Sequence, residues 1–130
     1  MIEINNLTDF SVSKDFFKKI AKKVLEREGK KINLSIALVT PNRIKELNKK
    51  YRKKNKATDI LSFKYNGSGE IVICLGIIKK NAKKYKLTFK KELSQVLIHG
   101  ILHLLGYNHE NSKREAKKME KKENYYLEKI

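Results

Sequence analysis

All three histidines of this 130-residue chain fall in one stretch, HGILHLLGYNH, residues 99–109. His99 and His103 are four apart, so on a helix they share one face, about 6 Å apart along the axis. Gly106 is placed to turn the chain back, because glycine accepts the left-handed conformation that ends many helices. His109 then approaches the same point from outside the helix. Three neutral nitrogen donors with a fourth position open describe a catalytic zinc site rather than a structural one. Such an ion makes bound water more acidic and polarises a substrate oxygen. Imidazole also suits nickel, copper and iron, so ligand type alone does not name the metal.

The pattern H-x-x-x-H-x-x-G-x-x-H is that of metalloproteases. Those enzymes place a glutamate, the general base, directly after the first histidine. Here that residue is Gly100. The site keeps the ligands and lacks the peptidase base.

The composition narrows the partners. Net charge is +17, from 31 basic and 14 acidic residues, and 27 of the 31 are lysine. A field of that sign draws polyanions such as RNA or DNA, although lysines spread this widely also fit a bias of composition. Cys74 is the one cysteine, so no internal disulfide forms, and a reducing cytoplasm is the expected compartment. No apolar run approaches the ~20 residues of a membrane span, and MIEINNLTDF lacks a signal-peptide layout. With no linker or repeat, residues 1–130 read as a single domain.

The elements that must position the histidines follow from periodicity. Phe16, Phe17, Ile20, Ala21, Val24 and Leu25 predict a helix over 14–28, after Ser13 and before Gly29. Alternation of Ile32, Leu34, Ile36 and Leu38 predicts a strand over 32–39. Thr40-Pro41 starts a helix with Ile44, Leu47 and Tyr51 on one face. Residues 59–65 and 70–75 read as strands of a hairpin about Asn66-Gly67-Ser68-Gly69. A short helix is expected over 77–86. Thr88 caps the helix that runs to Leu105 with both histidines, and Ser112 with Glu115 forms a capping box for a helix over 113–128. Cys74 and Met119 read as core residues, and Tyr107 as packing beneath the turn. The order implies an α+β fold, a small mixed β-sheet covered by helices, zinc-hydrolase-like with a histidine-bearing helix.

HGILHLLGYNH resembles the H-G-x-L-H-L-x-G-Y-D-H motif of the YbeY family, bacterial endoribonucleases of rRNA maturation. LNKKYRKKNKATDILSF, residues 47–63, is similar to that family's L-N-x-x-Y-R … T-D-V-L-S-F block, and GEIVIC, residues 69–74, to its G-D-I-x-I segment. The resemblance implies a zinc-dependent endoribonuclease that prefers single strands. It further implies action on ribosomal RNA at the small-subunit 3′ end, and a part in ribosome quality control. It implies that His99, His103 and His109 bind Zn2+, and that Arg52 and His99 are catalytic. A guanidinium can hold two phosphate oxygens at once, which suits Arg52 to that part. Thr58, Asp59 and Glu70 become pocket candidates. Two positions depart from the pattern: Asn108 and Glu70 stand where the family has aspartate. Asparagine cannot take a proton, so Asn108 keeps only a ligand-orienting role.

Three functions remain open on the sequence. They are a zinc-assisted RNA phosphodiesterase, a metal-dependent hydrolase of peptide or amide bonds, and a non-catalytic factor that binds ribosomal RNA.

Overall fold

The computed structural model describes residues 1–108, 110 and 112–130. The elements run β1 (Ile2–Asn6), α1 (Lys14–Arg27), β2 (Asn33–Leu38), α2 (Pro41–Arg52), β3 (Ile60–Tyr65), β4 (Ser68–Ile73), α3 (Leu75–Lys84), α4 (Phe89–Leu104) and α5 (Lys113–Glu128). Four helices begin at hydroxyl caps: Ser13 accepts from the Phe16 N–H, Thr40 from Arg43, Thr88 from Lys91 and Ser112 from Glu115. Each such cap satisfies a backbone donor that the helix itself leaves without a partner, worth about 1 kcal/mol. α3 has no side-chain cap; it starts directly after β4, at Leu75, two residues before the expected position.

The strands form one mixed sheet in the order β1-β2-β4-β3. β1 is parallel to β2 and β2 to β4, while β3 and β4 form the antiparallel hairpin. Tyr65 pairs with Ser68, so the hairpin turn is only Asn66-Gly67, tighter than the four-residue turn expected, and β4 starts earlier. Gly67 takes φ 76° there, which glycine allows without strain. β1 was not expected: only Ile2 and Ile4 alternate, and the strand exists because β2 offers it a parallel partner far along the chain.

Side-chain alternation gives the sheet two unlike faces. Ile4, Leu34, Ile36, Leu38, Ile71 and Ile73 face the main core, shared with α1, α3, α4 and α5. The opposite face meets α2 through a smaller cluster of Val39, Ile44, Leu61, Val72 and Cys74. Met119 and Tyr126 seat α5 in the main core.

α4 lies close to the sheet because two glycines permit it. A Cβ on Gly69 of β4 would stand 2.3 Å from Leu104 Cδ2. A Cβ on Gly100 of α4 would stand 2.3 Å from Ile60 Cδ1 of β3. The contact is therefore matched from both sides, with a glycine on the helix facing the strand and a glycine on the strand facing the helix. Ser62 adds a bond, its hydroxyl donating to the Gly100 carbonyl at 3.3 Å. Among the described residues no helix is long and apolar enough to cross a membrane.

Candidate metal centre and its supports

His99 and His103 sit one turn apart on α4, with rings parallel to within 3° and centroids 6.5 Å apart. His99 is half-buried and His103 exposed. His103 Nδ1 lies 3.1 Å from the Tyr107 carbonyl oxygen. A carbonyl only accepts, so Nδ1 carries the proton and the lone pair of the neutral ring falls on Nε2. His99 Nδ1 lies 3.2 Å from Glu123 Oε2 of α5, which selects the same tautomer. Metal-binding imidazoles are held in this way, by an oxygen partner on the nitrogen away from the ion. Hydrogen bonding to Glu123 raises the His99 pKa, burial opposes the rise, and the Asp59 charge adds to it.

The return of the chain behind His103 is built into the end of α4. The Tyr107 N–H donates to the Leu102 carbonyl and the Gly106 N–H to the His103 carbonyl, with Gly106 at φ 106°. That pair of bonds is a Schellman stop, and it brings the Tyr107 carbonyl to the imidazole one turn back. The Tyr107 ring is then tied to α1: its hydroxyl donates to Glu28 Oε1 at 2.6 Å. The Tyr126 hydroxyl donates to Glu28 Oε2, and Lys122 Nζ lies 3.2 Å from that oxygen. Burial pushes the Glu28 carboxyl up, but its bonds to Tyr107, Tyr126 and Lys122 prevail and leave it below its ordinary value. Burial and the bond to Glu28 push the Tyr107 phenol up to about 12. One carboxylate thus joins α1, the histidine loop and α5.

Asn108 Oδ1 accepts from the Glu110 N–H at 2.8 Å, an Asx turn that orders the loop locally. His109, the third expected ligand, lies outside the described residues. Among the described residues no group of three His, Cys, Asp or Glu side chains is gathered for a metal. The donor chemistry of His99 and His103 nevertheless fits a zinc ion that takes a third nitrogen from elsewhere.

The second motif frames the other side. Arg52 is the last residue of α2, exposed, and Lys53 turns the chain away in the left-handed conformation. Buried Asn48 donates from Nδ2 to the Lys56 carbonyl at 2.9 Å and fastens the following loop to α2. That loop ends at Thr58 and Asp59, where the Thr58 hydroxyl lies 3.4 Å from Asp59 Oδ1. Asp59 acts electrostatically on His99 and on buried Glu92, whose carboxyl is raised first by burial and then by Asp59. Asp59 is therefore within electrostatic range of His99. Glu70 points away: it pairs with Ser35 and Phe63 on the sheet face opposite α4.

A family model described as Endoribonuclease YbeY matches residues 3–130. The chain belongs to the YbeY family. Relatives named Endoribonuclease YbeY include one from Thermotoga neapolitana, 39% identical over 122 residues, 90% of this chain and 82% of that protein. Another, from Persephonella marina, is 42% identical over 123 residues, 87% of this chain and 80% of that one. The solution structure of TM1509 from Thermotoga maritima matches with a TM-score of 0.75 and 36% identity, over 98% of this chain and 87% of that one. Membership agrees with the resemblance drawn from both motifs and with the mixed α+β architecture.

Three supports of this YbeY centre were not read from the sequence. Glu123 shares a helix face with Met119 and Tyr126, and an acid at that spacing on an apolar face was the available signal. Asn48 lies within the second motif, where its burial on α2 beside Ile44 was foreseeable. Glu28 gives no local signal, because its partners are 79 and 98 residues away.

Proposed function

We propose that this chain is a zinc-dependent endoribonuclease that prefers single-stranded RNA. Its substrate is ribosomal RNA at the small-subunit 3′ end, and its setting is cytoplasmic ribosome maturation and quality control. Residues 1–130 act as one catalytic domain. The observation that carries the reading is the α4 pair, His99 and His103, each with Nδ1 held by an oxygen partner. Membership of a family named for endoribonuclease activity and the +17 charge support an RNA substrate.

The protein's own groups divide the work. His99, His103 and His109 hold the ion, which supplies an acidified water and a Lewis acid when bound. Glu123 and the Tyr107 carbonyl keep the first two rings in the coordinating tautomer. Arg52 binds phosphate oxygens by two parallel N–H bonds and steadies charge developing at phosphorus. Thr58 and Asp59 line the approach, and Asn108 orders the loop. A peptidase reading is weaker, because the base position is Gly100 and the line of its Cβ is filled by Ile60.

The test is a fluorescent single-stranded RNA incubated with protein of measured zinc content, with and without a chelator. Cleavage lost on chelation and restored by zinc is expected. Binding without cleavage at full zinc occupancy would overturn the enzymatic reading.

A further inference from the structure

We propose that the trough between α1 and the C-terminal end of α5 is a second binding surface for single-stranded RNA, separate from the histidine centre. The proposal rests on the RNA reading above. The trough has a volume of about 1030 Å³. Its floor presents the partly buried rings of Phe16 and Tyr125, and its rim carries Lys19, Arg27, Lys90 and Lys129. The Arg27 guanidinium lies 5.4 Å and the Lys129 ammonium 5.3 Å from the centre of the Tyr125 ring. Six basic and two acidic side chains line it, and one of the acids, Glu26, already faces Lys22 at 4.0 Å.

Single-strand binding needs this combination: aromatic faces on which bases stack, and cations along the phosphates. A negatively charged protein helix would also answer the charge. RNA is favoured because aromatic rings and cations line the same trough, and because membership of this family implies an RNA substrate. Helix periodicity puts the trough on other faces of α4 and α5 than those that carry the histidine centre. Tyr125 is two residues past Glu123, the partner of His99, so the two side chains leave α5 about 200° apart. Lys90 is nine residues before His99 on α4, about 14 Å along that helix and on its opposite side. Only a long strand can occupy both places, so the trough would engage a 16-mer and not a short probe held at the histidines.

The experiment measures binding of labelled 2′-O-methyl oligouridines of 4 and 16 nucleotides by fluorescence anisotropy across a salt series. Gel electrophoresis of each probe after incubation verifies that the zinc-loaded protein leaves it uncut. Lys19→Glu/Lys90→Glu is expected to weaken the 16-mer about tenfold or more. It should also make the salt dependence shallower by about 1.4 in log–log slope, about 0.7 for each phosphate that is no longer neutralised. The 4-mer should bind as before. Tyr125→Leu should weaken the 16-mer several-fold with no change in salt slope. Lys80→Glu/Lys84→Glu on α3 carries the same charge change and serves as the control, with circular dichroism to verify folding of every variant. Trough variants that match the control on both probes would overturn the proposal. So would a polyglutamate probe that binds the wild type and is lost in the trough variants while the 16-mer is not; that result would assign the surface to a protein. A wild-type protein that binds neither RNA length would instead sink the RNA reading itself.

Discussion

Glu28, at the end of α1, accepts a hydrogen bond from Tyr107, 79 residues on, and Tyr107 in turn accepts from His103 through its carbonyl. A carboxylate at a helix C-terminus opposes the helix dipole. Its two phenols and Lys122 more than offset that, and the folded pKa lies below the ordinary value of 4.5. The linkage has one sign: stability from Glu28 is full above the unfolded pKa and is lost as pH falls through the lower folded value. Glu28→Gln should therefore cost about 1–3 kcal/mol at pH 7 and flatten the acid limb below about pH 5. Urea unfolding between pH 3 and pH 7 checks it. Parallel pH profiles for the two proteins would show that the carboxylate charge contributes nothing.

The metal prediction separates ligands from supports. Alanine at His99, His103 or His109 should remove most of the bound zinc from a protein expected to hold about one ion per chain. Glu123→Gln leaves the ligands in place and loses only the carboxylate behind His99. It should weaken zinc affinity by about 10–100-fold with unfolding little changed. Competition against a zinc chelator measures this without reference to activity. Full occupancy in the His103→Ala/His109→Ala double variant would end the three-histidine arrangement.

Gly100 invites the converse experiment, restoring the glutamate that a peptidase would carry. The position faces β3 across a gap that even a methyl group closes, with Ile60 Cδ1 2.3 Å from where it would stand. Ile60 can turn aside for alanine; a glutamate side chain must displace it and bury a carboxylate against β3. Gly100→Glu should destabilise by about 1–3 kcal/mol or more and confer no peptide hydrolysis. Thermal unfolding and a peptide substrate assay settle both halves. A stable variant that cuts peptides would restore the protease reading.

Arg52→Lys should retain zinc and lose much of the RNA cleavage, because an ammonium cannot make the paired contact of a guanidinium. Kinetics at matched zinc content decide it. An unimpaired lysine variant would reduce Arg52 to one charge among the many on α2.

The sequence exposed the parts of this molecule whose causes are local. Hydroxyl caps at Ser13, Thr40, Thr88 and Ser112 and the glycine stop at Gly106 can each be read within a few residues, and α1, α2, α4 and α5 begin where those caps are. β1 could not be read so: its two isoleucines make a strand only because β2 pairs with them. The same divide runs through the site. His99 and His103 announce themselves by spacing, whereas Glu123 and Glu28 matter only once α5 and α1 are folded against α4. Glu70 shows the limit of motif transfer. Its place in the motif suggested the pocket, but strand parity points it away from the histidines.

Asn108 offers the sharpest test of what the loop does. Its side-chain carbonyl accepts the Glu110 N–H at 2.8 Å, a bond that an aspartate makes equally well. The amide cannot accept a proton from bound water, whereas a carboxylate can. If the residue only orders the loop, Asn108→Asp keeps the turn and changes the RNA cleavage rate by about tenfold or less. If this position supplies the base, the gain should fall in the range of ~10²–10⁴ that general-base catalysis provides. We expect the smaller change, with wild-type cleavage already present. The measurement is single-turnover cleavage of one RNA by both proteins at equal zinc content. An inert wild type rescued by aspartate would mean that this chain binds RNA with the turn intact and the proton acceptor missing.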